Sequence, residues 1–209
     1  MKKPHKSEIR KKNSQIILDA AEHEFSVHGY RGTSVQMIAD RSGLPKANLH
    51  YYYKSKSALY GAVLDRILVL WNTGLVDLKA EDDPREVLEK FIRLKVYLSC
   101  TRPMGSKLFA TEIISGAPYL SDYIRSDMRN FIEDKVKIID QWIQQKKILA
   151  VDPLNLIFLI WASTQHYADF NTQVLILMNK EKYEERDIKL ITDNLVQIIL
   201  RGCGLIPEK

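Results

Sequence analysis

The 209-residue sequence lacks most features that mark secreted or membrane-spanning proteins. Its two cysteines, Cys100 and Cys203, are too few for a disulfide framework or a zinc site and suit a reducing, cytoplasmic compartment. The longest uncharged apolar stretch, Pro153 to Ala168, has 16 residues, some of them polar, whereas a bilayer span needs about 20 apolar residues. No apolar run follows the basic start, so we expect neither a signal peptide nor contact with a membrane.

Patterns of catalysis and metal binding are also missing. The five histidines, among them His23 and His28, are not spaced around a glutamate as in zinc proteases. There is no glycine-rich phosphate loop and no motif around a nucleophilic serine or cysteine. We therefore predict a protein that is not an enzyme and that needs no metal or cofactor.

The net charge of +5 is unevenly distributed along the chain. Residues 1–56 carry eleven basic and five acidic side chains, whereas residues 57–209 carry 20 and 21. Such basic segments usually face nucleic acid or an anionic membrane, although a solvated basic face is the alternative. A peripheral lipid-binding bundle would need large apolar residues beside the lysines, and residues 1–15 contain only Ile9 of that kind. The distribution therefore favours nucleic acid.

Apolar residues recur at helical spacing throughout, and no segment alternates convincingly as a strand does. The pattern predicts an all-α protein with a small N-terminal bundle, residues 1–56, and a larger helical body, residues 57–209. Glycine, proline and capping residues place the predicted boundaries. The roughly nine predicted helices cover about residues 9–28, 34–42, 44–51, 56–79, 82–101, 105–114, 119–147, 153–178 and 183–201.

Residues 33–51 have the outline of a helix-turn-helix, in which the second short helix can enter a major groove of DNA. Ile38 and Ala39 form the apolar side of the first helix, Gly43 permits the turn, and Leu49 anchors the second helix. Lysine and asparagine on the outward side could bind base edges, while aromatic rings could contact phosphates or thymine methyl groups. The outward residues are Lys46, Ala47, Asn48, His50 and Tyr51.

A longer pattern around these residues resembles the DNA-binding signature of TetR-family repressors. It covers about residues 10–60 and includes Gly29-Tyr30, Gly32-Thr33, Ile38-Ala39, Gly43-Leu44, the run from Tyr51 to Lys56, and Leu59. His50 stands where the family usually has Tyr, which bears on the base preference, and Tyr53 stands where it usually has Phe. The resemblance implies an operator-binding repressor whose DNA-contact positions are Thr33, Lys46, Ala47, Asn48, His50, Tyr51, Tyr52 and Lys56.

Two groups in this region allow other interpretations. Tyr52 and Tyr53 could pack the small bundle as readily as touch DNA. The basic tail is expected to attract phosphates without sequence preference and to be disordered until DNA is present. Its basic residues are Lys2, Lys3, Lys6, Arg10, Lys11 and Lys12.

The body carries a second resemblance, to TetR-family repressors of pyrimidine utilisation. Helical spacing places Trp161, Gln165 and Asp169 on one stripe, and Trp71 lies on an apolar stripe of the fourth predicted helix. An indole beside a carboxamide suits a flat heterocycle with an imide edge. The resemblance implies that Trp71, Trp161 and Gln165 enclose a pyrimidine such as uracil or thymine. It rests on residues 156–174, 92–95, 107–109 and 116–118.

Two alternatives stay open for the body. The tryptophans and Gln165 could be ordinary core residues with a satisfied amide, or the cavity could take an unrelated hydrophobic or aromatic effector. The last two long helices are apolar on more than one side, which indicates a subunit interface. TetR-family proteins dimerise in this way, so we expect a homodimer on a palindromic double-stranded DNA operator, controlled by a small-molecule effector.

Overall fold

The computed structural model describes residues 6–205 and contains eleven α-helices and no strand in that range. This confirms the predicted all-α class. The N-terminal helices are α1 (Lys6–Gly32), α2 (Val35–Ser42), α3 (Lys46–Tyr52) and α4 (Lys56–Asn72), followed by a 3₁₀ turn (Thr73–Leu75). The later helices are α5 (Pro84–Thr101), α6 (Pro103–Ile114), α7 (Ser121–Tyr123), a π-helical turn (Ile124–Met128), α8 (Arg129–Gln144), α9 (Pro153–Asp169), α10 (Asn171–Leu177) and α11 (Glu185–Gly202).

Side-chain caps set the boundaries of the helix-turn-helix. The Ser34 hydroxyl accepts a hydrogen bond from the Met37 amide (3.2 Å) at the start of α2. Ser55 accepts one from the Ala58 amide (3.1 Å) at the start of α4. These bonds satisfy amides that lack partners within the first helical turn. Because the signals are local, the two short helices predicted from the sequence are confirmed.

Three predicted helices differ from the structure, and the one predicted over residues 119–147 is divided into α7, the π-helical turn and α8. The fourth ends at Asn72 rather than near residue 79, because the chain turns at Gly74 and passes close to α5. A Cβ atom added to Gly74 would lie 3.0 Å from the Phe91 ring, so the absence of a side chain at this position favours the close approach. The predicted helix 153–178 is interrupted at Phe170. There the Tyr183 hydroxyl donates to the Tyr167 carbonyl (2.9 Å), which would accept from Asn171 in an unbroken helix.

The apolar residues form two clusters. The N-terminal cluster joins α1 to α4 and includes Leu108 of α6 and Leu120, and the second cluster fills the body around α5, α8, α9 and α11. The predicted domain boundary after residue 56 falls at the first residue of α4. None of the helices within residues 6–205 is long and apolar enough to cross a membrane.

A buried carboxylate connects the N-terminal bundle to the body. Glu112 of α6 is 3% exposed. It accepts hydrogen bonds from the Tyr60 hydroxyl of α4 (3.0 Å) and from the Tyr119 amide (2.6 Å). The Tyr30 ring packs on both tyrosines, with centroids 5.0 Å from Tyr60 and 4.4 Å from Tyr119. The end of α6 is therefore fixed against the N-terminal bundle.

Replacing Gly43 tests whether the left-handed backbone of the turn between α2 and α3 stabilises the protein. Its φ of 67° is left-handed, so Gly43→Ala should lower the free energy of unfolding by about 1 kcal/mol. Gly61 is the matched control, because it lies inside α4 at ordinary helical φ with open space around it. Gly61→Ala should be neutral or stabilising by up to about 1 kcal/mol. Urea denaturation measures the free energy of unfolding of both variants. Equal effects would contradict a requirement for left-handed backbone at Gly43.

Candidate operator-contact surface and effector site

The outward side of α3 is open to solvent, as the helix-turn-helix prediction requires. Lys46, Ala47, His50 and Tyr51 are all exposed, and Tyr51 has 74% of its surface accessible. On the other side, Leu49 is 1% exposed and anchors the helix in the N-terminal cluster. A large aromatic ring left exposed on a short helix is typical of a binding surface.

The remaining predicted contact residues of α3 are less open. Asn48 is half-buried, while its backbone amide donates to the Pro45 carbonyl (2.8 Å). Tyr52 and Tyr53 are half-buried and pack against the N-terminal cluster. The hydroxyl groups of Tyr53 and Ser14 lie 3.0 Å apart within hydrogen-bond distance. Both tyrosines therefore have a packing role.

Thr33 is placed differently from the other predicted contacts. It is 2% exposed, and its hydroxyl donates to the carbonyls of Glu24 (2.9 Å) and Gly29 (2.8 Å). This side chain is bonded inside the bundle, so a contact with DNA through its hydroxyl would require these two bonds to break, and its role in DNA binding stays a prediction. Lys56 donates to the Thr33 carbonyl (2.7 Å), and its ammonium lies 4.4 Å from the centroid of the Tyr30 ring. Lys56 therefore connects the start of α4 to the segment where α1 ends and α2 begins.

The basic tail is more ordered than expected. Arg10, Lys11 and Lys12 lie within α1 and are exposed, which corrects the prediction of disorder for these three residues. Lys2, Lys3 and the side chain of Lys6 lie outside the part of the chain that the structure describes. The three helical side chains extend the positive surface along α1.

Glu24, which the sequence analysis did not single out, orients α2 against α1. It is 5% exposed and is paired with Arg41 of α2. The hydrogen bond from Arg41 is the main cause that lowers the pKa of Glu24, and it outweighs the effect of burial. His28 (3.5 Å) and His23 (3.6 Å) approach the same carboxylate. A buried charge of this kind is costly to leave unpaired, so the pair holds α2 in position.

The three tryptophans of the chain have different environments. Trp142 is fully buried, and its indole N–H donates to the Ala80 carbonyl (3.2 Å), as expected of a core residue. Trp71 and Trp161 are half-buried, and neither indole N–H has a hydrogen-bond partner within residues 6–205. The half-buried amide of Gln165 also lacks one among the described residues. Because a half-buried amide can also bond to water, this environment fits both a core residue and a ligand-binding residue.

A buried ammonium lies against Trp71. Lys95 of α5 is 3% exposed, and its Nζ is 4.3 Å from the centroid of the Trp71 ring. Burial lowers the pKa of Lys95 to about 7, although Asp169 of α9 acts to raise it. Burial likewise raises the pKa of Asp169, which accepts a hydrogen bond from the Ser106 hydroxyl (2.6 Å). Lys95 thereby links Trp71 to the helix that carries Trp161 and Gln165.

Sequence reasoning missed Lys95 and Ser106 as members of this site. A signal for Lys95 was present, because it follows Phe91 by four residues and Ile92 by three on the buried face of α5. A lysine on an apolar stripe is unusual unless it is paired or functional. Ser106 had no comparable signal, since its partner is 63 residues away in the chain.

A cavity of about 470 Å³ adjoins this group of residues at the junction of α1, α4, α5 and α6. Trp71, Leu98 and Gly105 are part of its wall, and so is Arg66, which is paired with Asp19 and Glu22 of α1. Trp161 and Gln165 do not line it. The structure therefore does not show the three predicted ligand residues around one cavity. No cluster of three metal-binding side chains occurs in the described residues.

Apolar side chains without cover lie on α9 and α11. They follow helical spacing and form one exposed stripe on each helix. On α9 and the break after it, the exposed residues are Leu154, Phe158, Leu159 and Phe170, and on α11 they are Leu190 and Ile198. Exposed stripes of this extent are typical of a protein–protein interface.

Comparison with known proteins shows the family to which this arrangement belongs. Residues 17–63 match the model for bacterial regulatory proteins of the tetR family, and residues 64–206 match the C-terminal region of YcdC-like proteins. The chain therefore belongs to the TetR family, whose members bind DNA operators and small-molecule effectors, typically as dimers. More particularly, it is a ligand-responsive transcriptional regulator similar to RutR of Escherichia coli K12, with 39% identity over 90% of this chain and 89% of RutR.

More distant relatives agree in fold. LmrA of Bacillus subtilis is 32% identical over 41% of this chain and 47% of its own length. The structure of AibR with isovaleryl coenzyme A and operator DNA matches with a TM-score of 0.65 at 19% identity, covering 89% of this chain and 97% of AibR. A TetR-like regulator from Rhodococcus sp. RHA1 matches with a TM-score of 0.62 at 21% identity, covering 91% of this chain and 94% of that regulator. These two structures bear on the fold alone.

The lowered pKa of Lys95 predicts a pH-dependent cost to stability. Below about pH 7 the folded protein must bury the charged ammonium, whereas above it the amine is neutral and only the unfolded chain binds the proton. Stability should therefore rise from pH 7 towards 10 by at most about 1.4 kcal/mol per pH unit. Lys95→Met should stabilise the protein most near pH 7 and progressively less towards pH 10, as measured by urea denaturation. A gain in stability from Lys95→Met that does not depend on pH would contradict a lowered pKa of Lys95.

Proposed function

We propose that this regulator is a homodimeric repressor whose hold on a palindromic operator is released by a pyrimidine such as uracil or thymine. The effector would bind among α4, α5 and α9, near Trp71, Trp161 and Gln165. The observation that carries the proposal is that the polar groups of these three half-buried side chains have no hydrogen-bond partner among the described residues, whereas the indole of the third tryptophan, Trp142, donates to the Ala80 carbonyl. The resemblance of residues 156–174 to pyrimidine-responsive repressors supports the same effector.

The chemistry of these side chains suits an imide. A pyrimidine ring carries alternating carbonyl acceptors and N–H donors, and the Gln165 amide offers both a donor and an acceptor. An indole face provides a stacking surface, and its N–H provides one further donor for a carbonyl oxygen. Polar groups that lose water on burial need such partners, so a ligand that supplies them binds selectively.

In the proposed mechanism, α4 transmits the effector signal. Its first residue, Lys56, donates to the Thr33 carbonyl between α1 and α2, and Trp71 near its other end belongs to the effector site proposed here. In the dimer, the two α3 helices would enter successive major grooves about 34 Å apart. A pyrimidine that shifts the end of α4 would change this spacing. A 100-fold loss of DNA affinity needs about 2.7 kcal/mol of preference for the non-binding arrangement.

Calorimetric titration with uracil, thymine and an unrelated aromatic compound tests the effector. We expect saturable binding of the pyrimidines alone. Gln165→Ala should weaken it about tenfold or more, because the carbonyl and imide groups of the ligand lose their partner. Operator binding without ligand should stay unchanged in this variant. Absence of pyrimidine binding to the wild-type protein would refute the proposed effector, and normal binding by the variant would remove Gln165 from the site.

Lys46→Ala tests the operator surface. The exposed ammonium near the start of α3 should contact a base or phosphate, so its removal should weaken binding about tenfold. Fluorescence anisotropy would use an operator obtained by in vitro selection with the wild-type protein. Lys90→Ala is the matched control, since Lys90 is also exposed but lies on α5 of the body. Equal affinity of both variants would exclude Lys46 from the contact surface.

Leu190→Glu tests whether the exposed stripes of α9 and α11 form the homodimer interface. Leu190 is 69% exposed, and a charge there would have to be buried in the dimer, which should shift the protein to monomer. Val69→Glu is the control, because Val69 of α4 is similarly exposed (71%) but lies outside the stripes. Sedimentation velocity distinguishes the two. A dimer that persists in Leu190→Glu would place the interface elsewhere.

A further inference from the structure

Lys95 has an environment that packing alone does not explain. The residue is 3% exposed, yet no group within residues 6–205 accepts a hydrogen bond from its ammonium. The face of the Trp71 ring lies against it, 4.3 Å from Nζ to the centroid. Nζ is not among the buried atoms of the described residues that lack a partner, so solvent still reaches it. Its three N–H donors are therefore available to a ligand that replaces this water.

The charged groups around Lys95 do not accept hydrogen bonds from its ammonium. From α9, Asp169 is the opposing charge, but its carboxylate already accepts from Ser106 of α6 (2.6 Å) and also interacts with His166 and Lys107. Burial lowers the pKa of Lys95 by more than Asp169 raises it, so the attraction of Asp169 does not offset the cost of burying the ammonium. From α11, Asp193 pairs with Arg93 and Lys189 rather than with Lys95, and α4 contributes the uncharged Trp71.

A route for a ligand exists beside Trp71. The cavity of about 470 Å³ is lined by Trp71 of α4, Leu98 of α5 and Gly105 of α6. Leu98 lies one helical turn after Lys95, and Gly105 directly precedes Ser106, although Lys95 itself does not line the cavity. The size of the cavity falls within the range of small-molecule sites. The Trp71 indole is part of the cavity wall and also lies against Nζ of Lys95.

We propose that Lys95 makes the effector site selective for flat heterocycles with an acidic N–H or an anionic oxygen, which pair with its ammonium. This inference rests on the proposed function, because it assumes that the same site takes the effector. Proton balance distinguishes two cases. A neutral acidic heterocycle passes its N–H proton to the Lys95 amine, with no net exchange with solvent. A heterocycle that enters as an anion requires the neutral fraction of Lys95 to take a proton from solvent.

The test is a calorimetric series of probes of rising acidity: thymine, uracil, 5-fluorouracil and barbituric acid. The wild-type protein should bind with affinity that rises along the series, at least tenfold from uracil to barbituric acid. Titration near pH 7.5 in two buffers of different ionisation enthalpy should show proton uptake with barbituric acid. Lys95→Met should flatten the affinity series and abolish the uptake. Lys90→Met, an exposed lysine of the same helix, should change neither.

The outcomes separate this inference from the proposed function. If uracil and thymine bind but affinity is flat along the series and unchanged in Lys95→Met, the role of Lys95 is refuted and the pyrimidine effector stands. If only the acidic probes bind and they need Lys95, uracil and thymine are excluded as effectors and the role of Lys95 stands. If no probe binds, both are refuted. Proton uptake by the wild-type protein tests the inference without relying on the folding of any variant.

Discussion

The position of α6 between the N-terminal bundle and the body is the constraint on which the other parts of this structure depend. Glu112, near one end of the helix, is a buried carboxylate held by the Tyr60 hydroxyl and the Tyr119 amide. Ser106, near the other end, donates to Asp169 of α9. A buried acceptor that loses its donor costs about 1–3 kcal/mol, and a charged one costs more. The bundle and the effector region therefore cannot move independently without breaking one of these bonds.

The fourth helix adds a second connection between the same two regions. Tyr60 and Trp71 are eleven residues apart on α4, or about 16 Å along the helix. Tyr60 belongs to the bundle through Glu112 and Tyr30, while Trp71 contacts Phe109 of α6 and covers Lys95. A ligand that displaces the Trp71 indole would therefore act on α4, whose first residue, Lys56, is hydrogen-bonded to the N-terminal bundle. In the proposed mechanism, this rigid path carries the signal, and no flexible linker is required.

Much of the fold could be predicted because its signals are local. Ser34, Gly43 and Ser55 act on amides and turns within a few residues, so the helix-turn-helix was placed correctly from the sequence. The end of α4 and the break at Phe170 were not predicted, because Gly74 meets Phe91 and Tyr167 meets Tyr183 across distant parts of the chain. The burial of Thr33 has the same cause, since its hydroxyl is bonded to carbonyls of α1.

The sequence by itself determined the order of helices, the outward face of α3 and membership of the TetR family, because helical periodicity and short motifs depend on neighbours in the chain. Only the tertiary structure decided which polar groups are satisfied. Trp142 is a core residue because the Ala80 carbonyl, 62 residues away, accepts from its indole, whereas Trp161 and Gln165 meet no such group. Lys95 is 3% exposed and has no hydrogen-bond acceptor among the described residues, with Trp71 of α4 against its ammonium. Hydrogen bonding of buried groups depends on distant backbone and side chains, which no local pattern specifies.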